Sequence, residues 1–251
     1  MNLSFYTGAV GAMSQQDKLD IIANNIANIN TDGYKSKSST FSNLIYSNMN
    51  AAKNANTKLK TGVGVKIEKT DMDMSGGALR TTDSPWDFAI VGDGLFALKA
   101  PNGNEISYTR DGSFILSKQS DDKFMLATKD GYLVLGKDNQ PIEIKQDIQD
   151  PEKVEGKEEL EQELEQKIAI YQFDNYNDMQ SLGGNRVMPV AKNGTPKLVE
   201  VGLQRGATET SNVDFAKEVS KMIETQRAYQ FALRMVTTSD EVEGIINSLR
   251  G

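Results

Sequence analysis

Three constellations in this 251-residue chain hold residue types that could do chemistry. Gly92-Asp-Gly94-Leu-Phe-Ala97 has the G-x-G-x-x-A form of a dinucleotide-binding turn, where amides at a helix N-terminus hold a pyrophosphate. A helix must open there, yet Pro101-Asn102-Gly103 ends the run within a few residues, so the stretch reads as a β-turn. Asp71-x-Asp73-x-Ser75-Gly76 resembles the first half of a calcium loop, but Thr82 stands where the bidentate Glu belongs, which leaves a polar turn. Asp83, Asp87, Asp93 and Asp111 are the candidates for a pair of carboxylates in glycoside hydrolysis. No spacing makes two of them converge, and Asp93 and Asp111 lie in Gly-Asp-Gly and Asp-Gly contexts that turn geometry already explains. The chain has no His and no Cys, so imidazole proton transfer, thiolate chemistry, N/S metal sites and disulfides are excluded. An enzyme would have to work with carboxylates, Lys, Tyr or Ser alone. No catalytic, cofactor-binding or metal-ligating residue is assigned, and no cofactor or small-molecule substrate is expected.

The charge balance points the same way. Asp and Glu number 35 against 28 Lys and Arg, a net charge of −7, so no attraction to a nucleic-acid backbone is expected. Met1 to Ala12 carries no Lys or Arg and is broken by Asn2, Ser4, Thr7, Gly8 and Gly11, which is not the make-up of a secretory signal. No run approaches the roughly 18 apolar residues of a membrane span. Composition by itself therefore implies a soluble, cytoplasmic chain.

The elements that would position any site read as helix, polar linker, β region, helix. Phe5, Ala12, Leu19 and Ile26, with Gly8, Gln15, Ile22 and Ile29, repeat every seven residues, and Asn30-Thr31-Asp32-Gly33 supplies the stop. These bounds predict an N-terminal stem helix over 1–33 and an extended linker over 34–60. Residues 61–205 alternate short apolar runs with Asx-Gly turns, which predicts an antiparallel β domain. Within it, 150–167 holds eight acids and three lysines and reads as a solvated, acidic insert with only Leu160 and Leu164 to bury. A C-terminal stem helix is predicted over 206–251. It opens at Ser211-Asn-Val-Asp214 and carries Phe215, Val219, Met222, Gln226, Tyr229, Leu233 and Val236 in heptad spacing. Met235, Val242, Ile245 and Leu249 continue on a rotated face, and Phe231 also lies off the main stripe. The fold class is α+β: two long terminal helices forming a coiled-coil stem, with an inserted antiparallel β domain. The two stripes could pair as a hairpin within one chain, or be buried between chains. Gly and Ala dilution of the first helix and the doubled stripes favour burial between chains.

Four stretches carry a resemblance to the axial proteins of the bacterial flagellum, and among them to the rod proteins of the basal body. Leu19-Asp-Ile-Ile-Ala-Asn-Asn-Ile-Ala-Asn-Ile-Asn-Thr-Asp-Gly-Tyr-Lys35 resembles the N-terminal signature. Gly77-Ala-Leu-Arg-Thr-Thr-Asp-Ser-Pro-Trp-Asp-Phe-Ala-Ile-Val-Gly-Asp-Gly-Leu-Phe96 resembles the start of the β domain. Tyr108-Thr-Arg-Asp-Gly-Ser-Phe114 with Asp130-Gly-Tyr132 resembles the motif after it, and Ser211-Asn-Val-Asp214 with Glu224-Thr-Gln-Arg-Ala-Tyr229 resembles the C-terminal helix motif. The resemblance implies a structural subunit of the flagellar basal-body rod in the cell envelope, not an enzyme. It implies export by the flagellar secretion apparatus without a cleaved signal peptide, which replaces the cytoplasmic expectation. Expected partners are copies of itself, other rod and hook subunits, and the export apparatus. The alternatives are a hook or hook-junction protein and a secreted carbohydrate-active enzyme. Proximal and distal rod types both stay open.

The assembly interface expected from the heptads is Leu19, Ile22, Ile26 and Ile29 on one helix and Val219, Met222, Tyr229 and Leu233 on the other. If these seams are buried between chains, Ile26→Asp leaves a folded subunit that fails to polymerise, because a charge in a dry seam costs several kcal/mol in every subunit. Burial in a hairpin within one chain predicts instead that thermal unfolding of the isolated protein shifts downward.

Overall fold

Two heptad-patterned runs become helices and the alternating stretch between them becomes strands. The computed structural model describes residues 3–44, 47–48, 60–62, 64–101, 103, 105–120, 123–145 and 164–250. Helix α1 spans Leu3–Ala27 and helix α2 spans Phe215–Arg250, and the inserted residues form an antiparallel β domain, the α+β arrangement expected. Among the described residues, no helix is long and apolar enough to cross a membrane.

The chain divides into two compact units. One comprises Met1–Ala27, Lys37–Asp71 and Asp214–Gly251, and the other Asn28–Ser36 and Met72–Val213. These bounds differ from those read in the sequence. The stretch 34–60, read as an extended connector, contains the strand Lys37–Asn43, which pairs with Val65–Met72 in the helical unit. Ser47–Asn48 pairs with Lys60–Thr61, and 45–46 and 49–59 lie outside the described residues. Residues 206–213, read as helix, instead include the strand Ala207–Glu209 of the β unit. The polar composition of 34–60 hid its strand, because a two-stranded ribbon buries too little to impose alternation.

The β unit is built on a ten-stranded antiparallel sheet around Leu95–Lys99. That strand pairs with Ile106–Thr109, Leu133–Val134 and Ile170–Gln172. Its side chains alternate between two clusters: Phe96 and Leu98 pack with Phe88, Phe114 and Val134, and Leu95 and Ala97 pack with Tyr108, Leu135 and Tyr171. Both faces are thus covered, which explains a run of four buried residues with no polar alternation. Of the acidic stretch, 150–163 with Leu160 lies outside the described residues. Residues 164–167 are helical, and Leu164 is buried in the first cluster.

The N-terminal and C-terminal edges of the β unit meet at a buried ionic centre. Glu209 is 3 % exposed, Lys35 4 % and Arg110 5 %. Lys35 Nζ donates to Glu209 Oε1 at 2.6 Å, Arg110 Nε donates to Glu209 Oε2, and the Gly77 N–H donates to Oε1 at 2.7 Å. Arg110 spends its other donors on backbone carbonyls: Nη1 on Gly94 at 2.6 Å, Nη2 on Gly92 at 2.6 Å and on Ile90 at 3.0 Å. Lys35 also donates to the Ser75 carbonyl at 2.8 Å. Gly33 sits at φ 67°, where a side chain is strained, and an added Cβ would lie 2.5 Å from the Asp111 nitrogen, so the chain can approach Arg110 here only as glycine.

Burial works to raise the Glu209 carboxyl, but the hydrogen bonds from Lys35, Gly77 and Arg110 and the Arg110 charge outweigh it and hold the group below the usual value of 4.5. Burial dominates for Lys35 and lowers its amine despite the hydrogen bond and charge of Glu209, and repulsion from the Arg110 charge adds to the lowering. A carboxyl depressed on folding contributes stability above its unfolded value that is lost as pH falls through the folded value. Glu209→Gln strands two buried cations and is expected to cost about 3–5 kcal/mol at pH 7. In denaturant titrations the gap between wild type and variant should narrow as pH drops below 4.5. A gap independent of pH would show that the charge of Glu209 does not stabilise the fold.

Candidate assembly surface

The helical unit is held by α1, which lies against both α2 and the ribbon formed by Lys37–Asn43 and Val65–Met72. α1 ends at Ala27. α2 starts at an Asp214 cap, whose Oδ1 accepts the Lys217 N–H at 3.1 Å. The cap is therefore three residues later than the Ser211 start read from the sequence. Ser211 serves instead in a local turn, its Oγ accepting the Val213 N–H at 3.3 Å.

The two helices pair antiparallel within one chain, and the residues between them are small or polar. Ser4 Oγ and Ser239 Oγ are 3.0 Å apart, and Asn25 Nδ2 donates to Glu218 Oε2 at 3.1 Å. A Cβ built on Gly8 would lie 3.1 Å from Val236 Cγ2, and one on Gly11 4.0 Å from the Ala232 Cβ. Glycines inside a helix weaken it by about 1 kcal/mol each, and here they let the two backbones approach. On α2 the buried positions Glu218, Thr225 and Ser239, with Ala232 between, are seven residues apart. That is a true heptad, but on a different phase from the apolar stripe read in the sequence.

Of the eight expected interface residues, Ile22 is buried. Leu19, Ile26, Val219, Met222 and Tyr229 are half-buried, Ile29 is half-buried beyond the end of α1, and Leu233 is exposed. Seven of them are thus partly or wholly covered within one chain. The seam residues missed were Ser4, Gly11, Asn25, Glu218, Thr225 and Ser239, while Gly8 lies in the repeat read from the sequence. A search for apolar periodicity passes over them, although the seven-residue spacing of Glu218, Thr225 and Ser239 was present as a signal.

The large apolar side chains of α2 lie elsewhere. Phe231, Met235, Val242, Ile245 and Leu249 are all exposed, Leu249 at 82 %. With Thr238 they follow a 4-3-4-3-4 spacing, so they form one continuous stripe on the helix. α2 runs 11 residues past Ser239 to Arg250, about 16 Å at 1.5 Å per residue. Such a stripe, exposed over several turns, has the spacing of a coiled-coil seam.

The rejected chemical motifs have structural occupations. Gly92–Gly94 is a turn between strands Phe88–Val91 and Leu95–Lys99, and it presents carbonyls to Arg110. Asp71 accepts from Lys69 Nζ at 2.9 Å, and Asp73 Oδ1 accepts the Ser75 N–H at 2.9 Å. Asp87 Oδ2 accepts from Thr82 Oγ1 at 2.7 Å, and Asp111 Oδ1 accepts from Ser113 Oγ at 2.7 Å. Burial raises the Asp111 carboxyl against those Ser113 hydrogen bonds. Among the described residues, no group of His, Cys, Asp or Glu is arranged to hold a metal ion.

The same stretches match known families. The profile described as "Flagella basal body rod protein" matches residues 5–35, that of the "Flagellar hook protein FlgE/F/G D1 domain" matches 89–155, and that of the "Flagellar basal body rod FlgEFG protein C-terminal" matches 204–249. The chain is 33 % identical over 258 residues to the flagellar basal-body rod protein FlgG of Buchnera aphidicola subsp. Acyrthosiphon pisum, covering 95 % of this chain and 96 % of that relative. It is 33 % identical over 268 residues to FlgG of Borreliella burgdorferi, covering 100 % and 99 %. The chain belongs to the flagellar basal-body rod protein family. FlgF of Mesorhizobium japonicum, also a basal-body rod protein, is 29 % identical over 252 residues, covering 98 % of this chain and 97 % of the relative. In this rod-family chain the matched N-terminal segment carries Gly8, Asn25 and Lys35, and the matched C-terminal segment carries Glu209, Glu218 and Ser239.

Asn25 is the joint of the helical unit. Its Nδ2 donates to the Lys37 carbonyl at 2.8 Å and to Glu218, and its Oδ1 accepts the Lys37 N–H at 3.0 Å. Asn25→Leu keeps the volume and leaves these groups unpaired, at about 1–3 kcal/mol for each buried group. Amide exchange at 214–222 and 37–43 should accelerate while exchange in the β unit stays unchanged. Unchanged exchange at 214–222 would mean that the Glu218 contact does not hold the helix pair.

Proposed function

We propose that the chain is a structural subunit of the flagellar basal-body rod that assembles through the outward apolar stripe of α2. The supporting observation is the division of α2: its small and polar residues meet α1, and Phe231, Met235, Val242, Ile245 and Leu249 are left for another helix. Each such side chain buried on assembly contributes about 1.5–3 kcal/mol before ordering costs. Contacts of this kind between unlike surfaces repeat without closing, which builds a filament instead of a ring.

On this reading the partners are copies of the same chain and neighbouring rod and hook subunits. Leu19, Ile22, Ile26, Ile29, Val219, Met222, Tyr229 and Leu233 form the flanks of the stem, and α2's outward stripe is its adhesive face. The protein works in the basal body of the cell envelope, reached through the flagellar export apparatus without a cleaved signal. Its role is mechanical, with no catalysis.

Val242→Asp and Ile245→Asp place charge on the exposed stripe without touching the α1 seam. Their monomers should unfold within about 0.5 kcal/mol of wild type. Under assembly conditions they should stay monomeric by sedimentation, while wild type forms rods in electron micrographs. Rods formed by both variants would reject the stripe as the assembly surface. Hydrolysis of peptidoglycan by the purified chain would reject the purely mechanical role.

A further inference from the structure

The ionic centre of the β unit joins parts of the chain that are far apart in sequence, and its order of completion has a consequence. Arg110 and Lys35 are buried cations, and the carboxylate that both contact is that of Glu209. The strand Ala207–Glu209 pairs with Leu79–Thr81, and Gly202–Arg205 pairs with Phe88–Val91. Among the described residues, these are the pairings recorded for those two early strands. The Gly33 N–H donates to the Glu209 carbonyl at 2.6 Å, the Gly206 N–H to the Asp87 carbonyl at 2.8 Å, and the Thr210 N–H to the Ala78 carbonyl at 2.8 Å. The carbonyls of Ile90, Gly92 and Gly94 are held by the same Arg110 that Glu209 holds. A chain made only as far as residue 201 therefore lacks the strands that pair with these two and the carboxylate that both cations contact.

We propose that Glu209 is a closing residue: residues 33–36, the strands Leu79–Thr81 and Phe88–Val91 and the Arg110 side chain reach their native arrangement only when the strand Ala207–Glu209 joins them, whereas the backbone of Ile106–Thr109 pairs with Leu95–Lys99 without it. Before that, leaving Lys35 and Arg110 in water is favoured over burying them unpaired. The far part of the sheet is not tied in this way, since Lys123–Thr128 pairs with Phe114–Ser120 and Glu143–Lys145. The device gives the chain a folding order in which its first and last β-unit segments lock in one step. For a subunit that passes through the flagellar export apparatus, which is the reading under Proposed function, the lock delays closure until the late segment has emerged.

The test uses the full chain. Wild type is refolded from denaturant and pulse-labelled with deuterium, and peptides are read by mass spectrometry. Protection at 79–81 and 88–91 should appear in the same kinetic step as protection at 207–209. Protection of 79–81 and 88–91 in an earlier step than 207–209 overturns the proposal. At equilibrium, Glu209→Gln should lower protection at 79–81 and 88–91 by at least ~100-fold, the scale of a broken buried pair. Loss that spreads through the whole β unit has the same meaning, and protection equal to wild type overturns the proposal. Lys35→Met keeps the Arg110–Glu209 pair and should retain the single closing step. Refolding is measured without export machinery, so failure of the lock leaves the rod-subunit reading standing, and failure of assembly leaves the lock standing.

Discussion

A carboxylate with two cations and a backbone amide around it, all out of water, sets the terms for the β unit. Glu209 holds Lys35 on one side and Arg110 on the other, and Arg110 in turn gathers the carbonyls of Ile90, Gly92 and Gly94. Those carbonyls belong to the strand Phe88–Val91 and to the turn that leads from it into Leu95–Lys99, the strand on which both apolar clusters are built. A buried pair of this kind gives little net stability compared with apolar residues of the same shape, but removing one member is costly. Its effect is to make one arrangement of the early and late segments far better than any other.

This centre explains why residues that resemble family signatures stand so far apart. Gly33 and Lys35 come from the segment after α1, Gly92 and Gly94 from the Gly-Asp-Gly turn, Arg110 from Tyr108-Thr-Arg-Asp-Gly, and Glu209 from the segment before α2. The residue types fit their places: Gly33 where the chain passes against Arg110, arginine where several carbonyls must be reached from one planar group, and glutamate where two cations meet. The motif that looked like a phosphate-binding turn is part of this centre. Its carbonyls face Arg110, and a strand rather than a helix follows it.

The helical unit follows a different rule. Its internal seam, with Ser4, Gly8, Gly11 and Asn25 against Ser239, Val236, Ala232 and Glu218, is held by close approach and hydrogen bonds. Polar contacts at single heptad positions define register and direction better than interchangeable apolar ones. The apolar residues are left on the outer face of α2, where they are available to further helices. Small residues inside and large ones outside is the reverse of a self-sufficient hairpin, and it suits a chain whose final burial is shared with neighbours.

The two long helices and the β character of the region between them were legible in the residues, because periodicity follows directly from helix and strand geometry: seven-residue repeats over α1 and α2, and short apolar runs separated by Asx-Gly turns between them. It also excluded thiolate and imidazole chemistry by composition, and the rotated stripe of Met235, Val242, Ile245 and Leu249 was legible as a second face. What it left undecided was which face of α2 meets α1. Glu218, Thr225 and Ser239 are polar, so a hydrophobic pattern ranks them as solvent positions; the bonds of Glu218 to Asn25 and of Ser239 to Ser4 across the seam, and the burial of Thr225, place them inside. The strand Lys37–Asn43 was hidden in the same way by its Ser and Lys content. Glu209, Lys35 and Arg110 were visible only as three ordinary charges separated by dozens of residues. Their pairing is long-range, it depends on how the chain returns through the fold, and only the tertiary structure decides it.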